Sequence, residues 1–123
     1  MPEKTKHQLA LDLVNENRLK EAASLLAEAI GEKENADLWN DWATVQVALD
    51  QSKEARAGYG RALELDPENA QAQFNLGALL LNQGTSRRAI ELLQQCSGHV
   101  SAQEQAAIHS LLRKHKNDST VAD

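Results

Sequence analysis

The chain has 123 residues, of which 41% are hydrophobic, 25% charged and only 3% aromatic, and its formal net charge is -5. A chain of this length makes one domain with a core of modest depth, and the composition is ordinary for a soluble globular protein. The acidic balance excludes the basic stripe that a nucleic-acid surface needs to neutralise phosphates, and gives no attraction to anionic membranes.

Ala and Leu, the strongest helix formers, are abundant, and the only prolines are Pro2 and Pro67. Val, Ile and Thr are too scattered for alternating strands, so the class is all-α. In chain order, a first helix carries Leu9-Ala10 and Leu13 and breaks at Asn17. A second carries Ala22, Leu26 and Ala29, with Gly31 suited to a left-handed C-terminal position. Over Asp37–Leu49 the residues Trp39, Trp42, Ala43, Gln46 and Leu49 recur at helical spacing and define one face. Asp50-Gln51 interrupts, Ser52 is placed to cap, and Ala55, Tyr59, Ala62, Leu63 and Leu65 form the next stripe. Asp66-Pro67 stops that helix and Asn69 is placed to cap another, which carries Leu76-Gly77 and ends before Gly84. Ala89, Leu93 and Cys96 mark the sixth helix. Ser101-Ala-Gln-Glu104 is a capping box that opens a seventh over 101–115, with Ile108, Leu111, Leu112 and His115 on one stripe. Asn117–Asp123 is polar and reads as a disordered tail.

The chain is self-similar. Shifted by 34, Ala43 falls on Gly77, Ala55 on Ala89, Tyr59 on Leu93 and Ala62 on Cys96. Shifted back by 33, Trp42 falls on Leu9, Ala43 on Ala10, Ala55 on Ala22, Tyr59 on Leu26, Ala62 on Ala29 and Leu63 on Ile30. Small residues align with small and large apolar with large. Small positions such as Ala43 and Gly77 let paired helices approach, with Tyr59 or Leu93 filling the space beside them.

The middle copy resembles the tetratricopeptide repeat (TPR) family over 36–69, in Trp39, Trp42-Ala43, Ala55-x3-Tyr59, Ala62 and Pro67, with Gln46 departing at a tyrosine position. The third copy keeps Leu76-Gly77, Ala89, Leu93 and Cys96 but lacks the Trp and the closing Pro. The resemblance implies a TPR domain over 1–116: a right-handed α-solenoid of three repeats, at 3–35, 36–69 and 70–100, with the helix at 101–115 capping its C-terminal edge.

No reactive constellation stands out. His7, His99, His109 and His115 show neither an HExxH arrangement nor i, i+4 metal spacing, and no glycine-rich phosphate loop or nucleophile elbow is present. Glu64, Asp66 and Glu68 read as a solvated turn, and Cys96, at the small position shared with Ala62, reads as a buried structural thiol. The expectation is a non-enzyme with no cofactor and no metal. Apolar runs such as Leu79-Leu80-Leu81 are too short to span a bilayer, and Gln8, Asp12 and Asn15 break up any signal-peptide core. With a single cysteine as well, a reducing cytoplasm is the expected location.

The resemblance further implies a protein-interaction scaffold whose first helices line a concave groove. That face holds Lys4, His7, Gln8, Leu11, Val14 and Asn15 in the first copy, and Asp37, Asn40, Asp41, Thr44, Val47 and Ala48 in the second. In the third it holds Gln71, Phe74, Asn75, Ala78, Leu81 and Asn82. Val47 and Leu81 also fit a core between repeats. Asn and Gln both donate and accept, so an amide-lined groove suits the backbone of an extended peptide or partner protein. TPR co-chaperones that grip the C-terminal carboxylates of heat-shock proteins use Lys and Asn, then Asn, then Lys and Arg. Here those places hold His7, Leu11, Asp41, Gln71 and Asn75, and Asp41 would repel a carboxylate, which excludes that subclass. Two other readings are a structural scaffold that self-associates into a homo-oligomer through its N-terminal edge, and the TPR segment of a larger bacterial enzyme. Trp39-Asn-Asp-Trp42 resembles segments attached to glycosyltransferases or methyltransferases.

Overall fold

The computed structural model describes the backbone of residues 3–84 and 86–122, and the side chains of 3–84 and 87–116. Among the described residues the helices are α1 Lys6–Asn15, α2 Leu19–Glu32, α3 Ala36–Ala48, α4 Ser52–Leu65, α5 Ala70–Asn82, α6 Ser86–Cys96 and α7 Ala102–Ala122. They pack as helix–turn–helix pairs, α1 with α2, α3 with α4 and α5 with α6, so the architecture is the expected all-α helical repeat. The chain forms two compact units, residues 1–67 with α1–α4 and residues 68–123 with α5–α7.

The turn inside each pair is set by one left-handed residue. Asn17 has φ 61°, Asp50 φ 62° and Gly84 φ 86°, at equivalent places in the three copies. Asn and Asp tolerate this region better than other side chains, and Gly enters it without penalty. In the first turn the Arg18 N–H donates to the Leu13 carbonyl at 2.8 Å and Asn17 N–H to Val14 at 2.9 Å. In the second, Gln51 N–H donates to Gln46 at 2.8 Å and Asp50 N–H to Val47 at 3.0 Å. This is the Schellman pattern, which satisfies the last carbonyls of a helix. The helix ends show two departures from the sequence reading. Ser52 does not cap α4; the N-cap is Gln51, which makes no side-chain cap bond. That residue is already committed to ending α3. Gly31 lies inside α2, which runs on to Glu32, and takes no left-handed conformation.

Between pairs, side-chain caps take over. Asn35 and Asn69 accept from the backbone N–H of Leu38 and Ala72 at 2.8 and 2.9 Å. Thr5 and Gln8 form a reciprocal capping box on α1, as Ser101 and Glu104 do at the start of α7.

In the first unit Ala10, Ala22, Leu26, Ala29, Leu38 and Val45 make a buried cluster, with Leu13, Ile30, Trp42 and Leu49 partly buried against it. Ala43, Ala55, Tyr59 and Ala62 are buried where α3 meets α4. Because α3 is packed on one side by α2 and on the other by α4, its buried arc is wider than one stripe. It takes in Leu38, Asn40 and Val45, and leaves Trp39 and Trp42 half-buried with their rings edge to face, centroids 5.6 Å apart. Leu65, expected in the α4 stripe, is 40% exposed at the last turn. In the second unit Leu93, Cys96 and Ile108 form the cluster on which Phe74, Leu81, Val100, Leu111 and Leu112 pack. Helix α7 thus covers α5 and α6 with its expected stripe. It runs past the expected end at 115, since neither Gly nor Pro interrupts it, so the tail read as disordered over 117–123 is helical in backbone to Ala122. The side chains of that tail, and residue 123, lie outside the described residues.

Close approach within the second and third pairs depends on missing side chains. A Cβ at Gly58 would lie 2.8 Å from Cε3 of Trp42 and 2.9 Å from Cβ of Ala43. One at Gly77 would lie 2.9 Å from Cγ of Leu93. The copies trade volume across this crossing: Trp42 opposite Gly58 in the second corresponds to Leu76 and Leu92 in the third, and to Leu9 and Leu25 in the first.

Substituting Gly58 by Ala should therefore destabilise the chain. Overpacking of about 1–3 kcal/mol opposes a helix-propensity gain of about 1 kcal/mol, and neither the indole nor Ala43 is a flexible tip that can swing away. Gly60 sits in the same helix, where an added methyl would meet nothing within 4 Å, so Gly60→Ala should stabilise by about 0.5–1 kcal/mol. Urea midpoints of the two variants should move in opposite directions.

Candidate functional site

The expected groove residues divide between the two units. In the first, Lys4 precedes α1 and pairs with Asp12 at 2.6 Å, and Gln8 is occupied by the capping box. His7 reaches across to α3, with Nε2 at 2.6 Å from Oδ2 of Asp41 and both side chains about one-third exposed, at 30%. These residues lie 34 apart, on α1 and α3, so the bond ties together the first helices of successive pairs. Asn40 is not on an open face: it is 5% exposed, with its amide 3.5 Å from Asp41. Leu11 is 41% exposed and so is Val47, which corrects the reading of Val47 as core.

Thr44 links this face to the helix behind it. Its hydroxyl donates to the Asn40 carbonyl at 3.0 Å and lies 2.8 Å from the Tyr59 hydroxyl. A hydroxyl has one hydrogen, so with Thr44 donating to the backbone, Tyr59 donates to Thr44. Burial raises the Tyr59 pKa above the ordinary phenol value, with the charge of Asp41 adding to it and the bond to Thr44 opposing. The phenol is therefore a neutral donor at physiological pH.

In the second unit Gln71 and Phe74 turn toward α7. The Gln71 amide donates to Glu104 at 2.6 Å and to Asn75 at 3.4 Å, while Phe74 packs on the cluster that contains Ile108. The Gln71 bond is the leading cause of a Glu104 pKa below the ordinary carboxylate range. Leu81 joins the same cluster, whereas Asn75 and Ala78 are half-buried and Asn82 is exposed. The capping helix thus occupies part of the face that the repeat alignment assigns to α5.

One arrangement escaped the sequence reading. Glu34, between α2 and α3, accepts from the Trp39 indole N–H at 2.8 Å and from Arg61 of α4, through Nε at 3.3 Å and through Nη2. Trp39 is thus held by a polar bond as well as by Trp42. Glu34 and Arg61, 27 apart, are polar positions outside the small and apolar pattern that the repeat alignment compares, so the clip gave no signal. Cys96 is buried with its Sγ 3.4 Å from the Leu93 carbonyl, and burial pushes its thiol pKa up, so it is an unreactive packing residue. Among the described residues no group of three or more His, Cys, Asp or Glu side chains is placed to hold a metal ion, and no helix is long and apolar enough to cross a membrane.

This geometry is a TPR-like all-α repeat fold. The family described as TPR repeat matches residues 45–84. No curated protein matches the chain in sequence. Among solved structures it is similar to the Yersinia enterocolitica type III secretion chaperone SycD in complex with a peptide of the translocator YopD. That match has 14% identity and TM-score 0.84, covering 93% of this chain and 92% of the other. The Sgt2 TPR domain from Aspergillus fumigatus matches at 16% identity and TM-score 0.85, over 96% of this chain and 82% of the other. YrrB, described as a TPR protein with an unusual peptide-binding site, matches at 29% identity and TM-score 0.66, over 74% of this chain and 47% of the other.

The Glu34 clip has a pH signature. Its carboxylate pKa is lowered first by Arg61 and then by Trp39, against an opposing desolvation effect. A depressed folded pKa contributes stability above the unfolded carboxylate value of about 4.3, and that stability is lost as pH falls through the lower folded value. Glu34→Gln should lower the melting temperature near neutral pH and flatten its decline on acidification, in thermal scans at stepped pH.

Proposed function

We propose that the chain is a non-catalytic interaction module that holds an extended segment of a partner protein on the α1–α3 face of its first unit. One observation carries this reading. Leu11 and Val47 stand 41% exposed on a face whose polar side chains, His7, Asp41 and Thr44, are already fixed by bonds to one another and to Tyr59. Apolar side chains in the open beside rigid polar ones supply contact area with little ordering cost, which favours binding. The likeness to SycD with its bound peptide, and to YrrB with its peptide site, supports the same use of the fold.

Asp41 gives the face a preference. Its carboxylate favours a basic or donor group on the ligand and disfavours a terminal carboxylate, so the module lies outside the heat-shock-tail clamp subclass. Gln71 and Phe74 serve α7.

Val47→Lys and Asp41→Lys each place charge on this face without touching the buried clusters. Both should weaken a captured partner at least about tenfold while leaving helicity by circular dichroism unchanged. Undiminished binding by both variants would place the partner on another surface.

A further inference from the structure

Helices α1 and α2 enclose an open depression of about 400 Å³ lined by Leu13, Lys20, Glu21, Ser24, Leu25 and Glu28. Leu9 lies one turn before Leu13 on α1 and is 43% exposed, whereas its equivalent in the third copy, Leu76, is 7% exposed. The first copy therefore leaves open an apolar surface that the third copy buries.

The polar rim of this surface has a symmetric order. Lys20, Ser24 and Glu28 recur every four residues and so form one row along α2. A short side chain sits at the centre, with a positive charge one turn before it and a negative charge one turn after. Glu21 is held by Arg18 at 2.5 Å. Lys20 and Glu28 make no salt bridge among the described residues, although the charge of Glu28 reaches Lys6.

We propose that a second copy of this chain docks here, with the two α2 helices antiparallel across a two-fold axis at Ser24. In that register Lys20 of each copy faces Glu28 of the other, and the small Ser24 side chains meet where the helices approach most closely. Leu9, Leu13 and Leu25 supply the apolar contact on either side. A two-fold contact requires a self-complementary surface, and a row that reads positive, small, negative meets that condition only in the antiparallel arrangement. The surface is separate from the α1–α3 residues assigned to partner binding, so either assignment can fail without the other.

Sedimentation velocity from micromolar to millimolar protein at low salt tests the proposal. The wild-type chain should show a concentration-dependent dimer. Lys20→Glu and Glu28→Lys, both on exposed positions, should each weaken it at least about tenfold, because each brings two like-charge contacts together across the axis. Mixing the two variants in equal amounts should restore dimerisation, since the mixed pair regains both opposite-charge contacts; the double variant should restore it too. A wild-type chain that stays monomeric throughout overturns the proposal. So does a dimer indifferent to these charges, or one that the mixture fails to restore.

Discussion

The spacing between the two helices of a pair governs much else in this molecule. Where α3 crosses α4, the indole of Trp42 and the methyl of Ala43 occupy the space in which Gly58 would carry a side chain. Where α5 crosses α6, Leu93 fills the room beside Gly77. Close packing of this kind has no slack for an added methyl, yet it tolerates exchange of volume between partners. That is why Trp opposite Gly in one copy can become Leu opposite Leu in another. The three copies keep a sum of volumes across the crossing more strictly than they keep either residue.

Close pairing also fixes what reaches the surface. With Tyr59 drawn into the α3–α4 contact, its hydroxyl can only emerge beside Thr44, and Thr44 then ties the buried phenol to the backbone of the outer face. His7 and Asp41 join neighbouring first helices on that same side. Polar groups on the proposed binding face are thus anchored to the packing beneath them. A partner bound at the proposed face would meet side chains whose positions are already determined, which is the condition for affinity from a small contact area.

The fold was largely legible in the sequence because a repeat states each packing requirement more than once. Ala43 over Gly77 and Tyr59 over Leu93 identify the pair contacts, and Asn17, Asp50 and Gly84 mark the same left-handed turn three times over. The site was less legible. Periodicity ranks positions on one face, but α3 is covered on two sides, so Asn40 became buried while Val47 stayed open. Register assigns Gln71 and Phe74 to a groove, yet it carries no information about where a terminal helix comes to rest. Glu34 and Arg61, which make the clip to Trp39, lie outside the small and apolar positions that the repeat alignment compares, so periodicity gave no sign of it.

The two tryptophans have a consequence for how folding of this molecule can be followed. Trp39 and Trp42 are the chain's only indoles, they stand against one another, and both belong to residues 1–67. The single thiol, Cys96, is buried in residues 68–123. Intrinsic fluorescence therefore watches one compact unit and thiol accessibility the other, with no engineered label in either. Superimposable curves from these two native reporters would mean that the repeats melt as one cooperative body; separated curves would resolve the order in which a short helical array comes apart.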